Sequence, residues 1–273
     1  MNNRNIDIRS RSGVERAKLA AFILSEVLVL VAGVTVLVKN ERETFFLDFG
    51  SSVQAVFFTC LPILAERLFH FRMVLPLFLF CQVYTLGNTV GEILKLYYIT
   101  VWWDKFMHFC GGVVFALIGV MLLKAISKKY NMKPIIYAVF ALCFSMAIAL
   151  LWEFYEFGID CFFGQDMQHD TWITSISSHE LASFVGGVDG FDNIKQVVID
   201  GTPLPFEGYL DIGLYDTMFD MLFGTIGALL LSASYVITKG KLIYPAPGAE
   251  INKDVPDLIP DEENSQQNVY STQ

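Results

Sequence analysis

The sequence predicts an all-α membrane protein, a bundle of six transmembrane helices that carries a small irregular cap on its extracytoplasmic side. Of its 273 residues, 54% are hydrophobic and only 17% are charged, and the mean hydropathy is +0.48. This composition is too apolar for an ordinary soluble domain. Six stretches of the sequence each supply the roughly 20 mostly apolar residues that a helix needs to cross a bilayer.

The predicted spans divide the chain into three parts. They cover residues 19–38, 46–65, 74–93, 101–123, 134–157 and 212–237. Residues 1–18 form a basic arm, and the apolar run that follows is too long for a cleaved signal peptide, so we expect a retained signal anchor. The membrane domain comprises residues 19–243. Residues 244–273 form an acidic tail rich in Pro, Asp, Glu, Asn and Gln, which we expect to be disordered.

Lysine and arginine residues predict how the chain is oriented. They concentrate in the N-terminal arm, in the connections after the second and fourth spans, and directly after the sixth span. The positive-inside rule places these regions and both termini in the cytoplasm. The connection 158–211 then faces outward, with nine acidic residues and a single base, Lys195. Within it, residues 193–201 alternate in polarity and end in Asp-Gly, which predicts a small hairpin.

Acidic and histidine residues occur in pairs near one end of the last three predicted spans. The pairs are Asp104 with His108, Glu153 with Glu156, and Asp216 with Asp220. A spacing of three or four residues puts the members of each pair on one face of a helix. The predicted topology places all three pairs in the outer leaflet, together with Glu92. Ionisable groups at that depth are costly unless they pair or bind something, so these residues are the candidate site.

The residue types in these pairs indicate a metal ion. Imidazole with several carboxylates suits Zn, Mn or Fe, and carboxylates this close cannot all stay ionised without a compensating cation. The expected ligands of a divalent ion are Asp104, His108, Glu153 and Asp220. The expected general base is Glu156 or Asp216, and the further candidates are Glu92, His169 and Asp170. The alternative is a structural cluster in which these groups hydrogen-bond across helices.

Three motifs resemble a known group of proteins. They are W-W-D-K-x-x-H-F-x-x-G at 102–112, W-E-x-x-E at 152–156 and D-T-x-x-D-x-x-x-G-x-x-G at 216–227. Together they resemble the bacterial membrane family of unknown function typified by YjdF, and more loosely the VanZ-like envelope proteins. The resemblance implies a multi-pass protein of the bacterial cytoplasmic membrane. It brings no catalytic role with it. The residues that it carries over are Glu92, Asp104, His108, Glu153, Glu156, Asp216 and Asp220.

Three functions are compatible with this pattern. The first is a metal-dependent hydrolase or transferase that acts on a lipid-linked envelope substrate. The second is a non-catalytic envelope protein that binds a lipid or an antibiotic, as the VanZ-like resemblance implies. The third is a proton- or ion-coupled carrier, which the clustering of ionisable residues toward one membrane face disfavours. The expected partners are membrane lipids or a lipid-linked substrate, and no feature of the sequence indicates nucleic acid.

Overall fold

The computed structural model describes residues 3–39, 45–127 and 132–245, and it is mainly helical. The helices are α1 (Asn3–Lys39), α2 (Phe45–Leu68), α3 (Leu75–Ile93), α4 (Leu96–Ile99), α5 (Val101–Ile126), α6 (Pro134–Phe163) and α7 (Leu214–Ile237). The short strands are β1 (Phe71–Met73), β2 (Trp172–Ile173), β3 (Ile176–Ser178), β4 (Asp189–Phe191), β5 (Val198–Ile199), β6 (Thr202–Pro203), β7 (Tyr209–Leu210) and β8 (Ile243–Pro245). They form antiparallel pairs, β1 with β8, β2 with β7, β3 with β4, and β5 with β6.

Four of the described helices are long and apolar enough to cross a membrane. The candidate spans are Gly13–Thr35 in α1, Trp102–Ile126 in α5, Pro134–Phe163 in α6 and Leu214–Ile237 in α7. The prediction of a helical protein with several membrane spans is confirmed at this level. The two other predicted spans coincide with α2 and α3, which contain more polar residues, among them Gln82 and Asn88. Of the predicted tail, residues 244–245 belong to β8, and residues 246–273 lie outside the described residues.

The chain divides into two compact units. We call residues 1–147 and 223–273 the helical unit, and residues 148–222 the acidic unit. Helices α6 and α7 each continue from one unit into the other along the chain. The acidic unit contains the end of α6, the start of α7 and the strands from β2 to β7. The hairpin predicted in 193–201 is confirmed as β5 and β6, which are joined by Asp200 and Gly201, both at positive φ as the turn requires.

Helix α5 contains the most buried of the four candidate spans. More than half of its candidate span is buried (56%), compared with 17% for the span in α1. Its residues Leu117, Val120 and Met121 are at most 2% exposed, and they share one core cluster with Phe78 of α3 and Tyr235 of α7. A helix that is apolar around its whole circumference buries best within such a core cluster.

Glycine residues allow α5 and α7 to pack backbone against backbone. A Cβ atom at Gly112 would overlap the backbone carbonyl oxygen of Gly224, and one at Gly227 would overlap that of Phe109. Small residues permit this close approach between membrane helices. Helix α6 joins the contact, because Ser145 Oγ donates a hydrogen bond of 3.1 Å to the Gly112 carbonyl. The role of these glycines in the structure is therefore close helix packing.

At one end of the helical unit, β1 and β8 form a small antiparallel sheet. Phe71 pairs with Pro245 and Met73 with Ile243, and the Val74 N–H also donates to the Leu242 carbonyl at 3.3 Å. Beside this sheet, Lys124 Nζ lies 5.4–5.8 Å from the ring centroids of three aromatic residues. The rings are those of Phe71, Tyr137 and Tyr235. Cation–π attraction to these rings holds the lysine at the end of α5.

Candidate carboxylate and histidine site

In the helical unit, Asp104 and His108 lie on one face of α5, as predicted from their spacing. The helix begins after Thr100, whose side chain accepts a hydrogen bond from the Trp102 N–H, and Asp104 lies in the first turn, where the helix dipole favours negative charge. Asp104 Oδ1 is 3.6 Å from His108 Nε2, and its Oδ2 is 3.0 Å from Lys105 Nζ. The carboxylate therefore has a cationic neighbour of its own within this unit.

In the acidic unit, α6 buries two of its acids and exposes the apolar residues beside them. Glu153 and Glu156 are 4% and 6% exposed, whereas Leu151 and Phe154 are about 60% exposed. The Trp152 Nε1–H donates a hydrogen bond of 2.6 Å to Glu156 Oε1. A carboxylate oxygen of Glu153 and one of Glu156 lie within 4.8 Å of each other. In a soluble protein the acids would be exposed and the apolar residues buried. The opposite distribution seen here is typical of a membrane helix, whose apolar residues face lipid and whose acids face polar partners.

Helix α7 repeats the pattern in the same unit. Asp216 and Asp220 are 6% and 1% exposed, while Met218 and Phe219 between them are 58% and 46% exposed. Asp216 lies in the first turn of the helix, where negative charge is favoured. Each of the two helices thus directs a pair of acids to its buried face.

The loop 164–171 binds to the ends of both helices within the acidic unit. Asp160, near the end of α6, accepts hydrogen bonds from the backbone N–H groups of Met167 at 2.6 Å and Gln168 at 2.9 Å. The His169 N–H donates to Asp216 Oδ2 at 3.1 Å. A ring nitrogen of His169 also lies within 4.8 Å of an Asp216 carboxylate oxygen. His169, one of the further candidates from the sequence, is therefore next to a predicted general base.

Asp170 lies in a strongly acidic part of this loop. Partial burial raises its pKa above the ordinary 3.8, and the negative charges of Asp166, Asp211 and Asp160 raise it further. Its backbone N–H donates to Asp166 Oδ1 at 3.4 Å. The structure thus places Asp170 among other acids, in a position where a proton is retained more readily than in an isolated aspartate.

Sequence reasoning did not single out Asp211, which organises the start of α7. Its carboxylate accepts hydrogen bonds from the N–H groups of Thr171 at 2.8 Å, Gly213 at 3.3 Å and Tyr215 at 2.6 Å. The available signal was an aspartate just before a predicted helix, where such a side chain caps free N–H groups. The remaining candidate, Glu92, is in α3, and its side chain lies outside the described part of the chain.

Comparison with known proteins identifies the family of the chain. No curated protein and no solved structure matches the sequence. The profile of a family described as "Predicted membrane protein (DUF2238)" matches residues 20–241, which include most of the helical unit and the whole acidic unit. Since this match covers well over half of the sequence, the chain belongs to the DUF2238 family of membrane proteins.

Proposed function

We propose that the acidic unit binds a divalent metal ion and that the chain uses this ion in hydrolysis or group transfer. The observation that carries the proposal is the burial of Glu153, Glu156, Asp216 and Asp220 in one unit, each at most 6% exposed. Residues 148–222 are all described, and their one lysine or arginine, Lys195, is 76% exposed and 3.3 Å from Glu207. No strongly basic side chain of this unit therefore neutralises the four buried acids.

Burying several carboxylates together is costly, because each charged group loses its hydration and neighbouring like charges repel. A shared metal ion would offset that cost. The donor set fits a metal ion, since carboxylates on facing helices with an imidazole nearby suit Zn, Mn or Fe. His169 supplies that imidazole beside Asp216 within the acidic unit.

Each residue has a role in this proposal. Glu153 and Asp220 hold the ion, and Glu156 or Asp216 is the general base that takes a proton from the attacking water. On the sequence pattern alone, Asp104 and His108 are assigned as further ligands, while Glu92 and Asp170 remain candidates. A bound divalent ion would lower the pKa of water or polarise a phosphoryl or carbonyl oxygen. The chain has no motif for a covalent nucleophile, so attack by water is the simpler chemistry.

The proposed setting is the outer leaflet of a bacterial cytoplasmic membrane, crossed six times with both termini inside. Six spans follow when α2 and α3 are added to the four helices that meet the length and hydropathy requirement. A site at the outer leaflet would meet a lipid-linked envelope substrate. Alternatively, the chain binds such a lipid or an antibiotic without chemistry, or carries ions.

Metal analysis of the purified full-length protein tests the proposal directly. We expect near-stoichiometric Zn, Mn or Fe, and a chelator should lower the melting temperature, because a ligand bound only by the folded state stabilises it. Asp220→Asn should lose the ion and its chelator sensitivity. Asp192→Asn, which changes an exposed loop acid, is the matched control and should retain both.

The structural alternative predicts the opposite sign for the same variant. If the acids are only a hydrogen-bonded cluster, Asp220→Asn should be neutral or stabilising, because an amide is cheaper to bury than a carboxylate. Metal-free protein with a stable Asp220→Asn variant would rule out the metal proposal. His108→Ala and Asp104→Asn are measured separately, and full metal retention in both would remove these residues from the ligand set while leaving the acidic unit as the site.

Orientation is tested by thiol labelling in intact cells. The exposed Cys143 and Cys161 are first replaced by serine, and single cysteines are then introduced at Asp189 or Arg67, both exposed. An impermeant thiol reagent should label the cysteine at position 189 and not that at position 67, because arginine marks the cytoplasmic side. The reverse labelling pattern would put the acidic unit in the cytoplasm and exclude an outer-leaflet substrate.

A further inference from the structure

The aromatic cage around Lys124, formed by Phe71, Tyr137 and Tyr235, holds an ammonium group that has no acidic partner. Its Nζ lies 5.4 Å from the ring centroid of Tyr235, 5.6 Å from that of Phe71 and 5.8 Å from that of Tyr137. Among the residues that the structure describes, no carboxylate forms an ion pair with it. Aromatic rings attract a cation without neutralising it, and the C-terminal end of α5 adds only a partial negative charge. Lys124 therefore keeps positive charge that a ligand can use.

Lys18, elsewhere in the helical unit, shows the alternative arrangement for a buried lysine. Its Nζ also lies over a ring, 5.4 Å from the centroid of Phe78, but Glu66 Oε1 is 2.6 Å away from it. Such a partner offsets part of the cost of removing a charged group from water. Lys124 has no equivalent carboxylate in the described part of the chain, and an external anion would supply one.

The tyrosine rings of the cage carry hydroxyl groups with protons to donate. Ser127 Oγ and Tyr137 Oη are 3.2 Å apart and share one hydrogen bond, which uses one of their two protons. Tyr235 is 2% exposed, and its hydroxyl forms no hydrogen bond among the described residues. A buried hydroxyl group normally has a partner. The cage is thus rich in hydrogen-bond donors, and this property suits an anionic ligand.

The cage lies where α5 reaches the end of its membrane span. Lys124 is in the last turn of the helix, and the candidate span is Trp102–Ile126. Ile126, in the same turn, is 71% exposed. Long basic side chains at the end of a span reach toward the headgroup region of the bilayer. The anionic oxygen atoms available at this depth are those of phospholipid headgroups.

Further positive charge lies next to the cage. Lys239 and Lys241 are exposed in the turn that follows α7, and no carboxylate of the described residues pairs with either of them. This turn contacts the cage, because a Cβ atom at Gly240 would be 2.9 Å from Tyr235 Oη. Basic pockets between the ends of membrane helices bind anionic headgroups, and each lysine near the surface strengthens the attraction.

We propose that Lys124 and its aromatic cage bind the phosphate group of an anionic phospholipid. The ammonium, held in place by the rings, contacts the phosphate oxygens, and Tyr235 donates a hydrogen bond to them. Lys239 and Lys241 add attraction from outside the cage, while the acyl chains of the lipid remain in the bilayer. The site is independent of the proposed metal chemistry, since the two share no residue.

The test measures the melting temperature of the purified full-length protein in a neutral detergent. Dioleoyl phosphatidylglycerol and dioleoyl phosphatidylcholine are titrated separately, because they have the same acyl chains and differ in headgroup charge. Phosphatidylglycerol should stabilise the protein more, since a ligand bound only by the folded state raises its melting temperature. Lys124→Gln should weaken this binding about fivefold, the loss expected for one cation near a lipid surface. Lys195→Gln, the same change at a 76% exposed lysine of the acidic unit, is the matched control and should leave it unchanged.

A second variant keeps the test decisive if Lys124→Gln does not fold. Tyr235→Phe retains the ring and removes only the hydroxyl, and it should weaken phosphatidylglycerol binding roughly threefold through the lost hydrogen bond. Equal stabilisation by the two lipids would overturn the proposal. Unchanged phosphatidylglycerol binding in Lys124→Gln, or in Tyr235→Phe when Lys124→Gln does not fold, would also overturn it.

Inorganic phosphate separates a lipid headgroup from a soluble anion. At millimolar concentration it should not displace phosphatidylglycerol, because it lacks the acyl chains that keep the lipid beside the helices. Displacement by inorganic phosphate would show that the cage takes a soluble anion and would overturn the assignment of a lipid.

Discussion

The two units of the chain hold buried acids in opposite ways. In the helical unit, Glu66 is 3% exposed, but Lys18 and Arg72 lie 2.6 and 3.3 Å from its oxygens, and the Met73 N–H adds a hydrogen bond of 2.7 Å. In the acidic unit, four acids are buried as deeply, and the one strongly basic residue of that unit is on the surface. The first arrangement pairs one acid with two bases, whereas the second gathers four acids in a unit whose single lysine pairs with Glu207 on the surface.

This difference distinguishes an acid that stabilises the fold from acids that are candidates for chemistry. A buried acid with its own ion pair is part of the architecture, because removing either partner leaves an uncompensated charge. A cluster of several buried acids is a candidate for function, because its charge state depends on what binds to it.

The largest effect is expected from breaking the ion pair. Glu66→Gln removes the nearest counter-charge of Lys18, which is 3% exposed, and should destabilise the protein by about 3–5 kcal/mol. The control is Glu15→Gln, whose side chain is 48% exposed and 3.8 Å from the same Lys18 Nζ, with an expected cost below about 1 kcal/mol. Unfolding in mixed detergent micelles measures both. Equal small losses would mean that the helical unit does not depend on internal charge balance.

A smaller effect is expected from a methyl group at the contact between α5 and α7. Gly112→Ala should cost about 1–3 kcal/mol, because the new Cβ would overlap the Gly224 carbonyl and the two helices would have to separate. Gly158→Ala is the matched change in α6, where nothing lies within 4 Å of an added Cβ, and it should stabilise the helix by about 0.5–1 kcal/mol. The same unfolding assay compares them, and a tolerated Gly112→Ala would contradict the tight packing of the helical unit.

The smallest effect concerns pH and the acidic unit. The raised pKa of Asp170 means that the folded protein holds a proton in the window just above 3.8 that the unfolded chain has released. Stability from this group is therefore greatest below pH 3.8 and falls as the pH rises through the folded-state pKa. Asp170→Asn should remove this fall, with a difference below about 0.5 kcal/mol because the carboxyl is only partly buried and solvent screens its charge. A difference that grows toward acid pH would have the wrong sign for this environment.

Local features of the structure were predictable from the sequence because they depend on short spacings. A spacing of three or four residues sufficed to place Glu153 with Glu156, and Asp104 with His108, on single helical faces. The Asp200-Gly201 turn was predictable because few residues adopt positive φ easily. Membrane spans were recognisable from length and apolarity, although α2 and α3 show that polar residues inside a helix weaken that signal.

Contacts between distant segments were not predictable, because they depend on packing that no local pattern encodes. His169 lies beside Asp216 because the preceding residue, Gln168, is held in place by two hydrogen bonds. Its backbone N–H donates to Asp160 at 2.9 Å, and its side-chain amide donates to Thr217 at 2.7 Å. Glu26 had no recognisable partner in the sequence, and its contact with Thr59 arises from the packing of α1 on α2. Such polar contacts are few and specific, whereas the apolar positions that drive packing are many and interchangeable.

The pairing of β1 with β8 has a consequence for biosynthesis. The N–H and C=O groups of residues 71–73 leave the ribosome early, but their partners at residues 243–245 are translated only after α7. During this interval the turn between α2 and α3 must be hydrated or held by the insertion machinery, since unpaired backbone groups are not tolerated in hydrocarbon. Completion of the helical unit is thus delayed until nearly the whole chain has been synthesised. A nascent chain that stops before Ile243 would expose an unfinished strand to quality-control proteases.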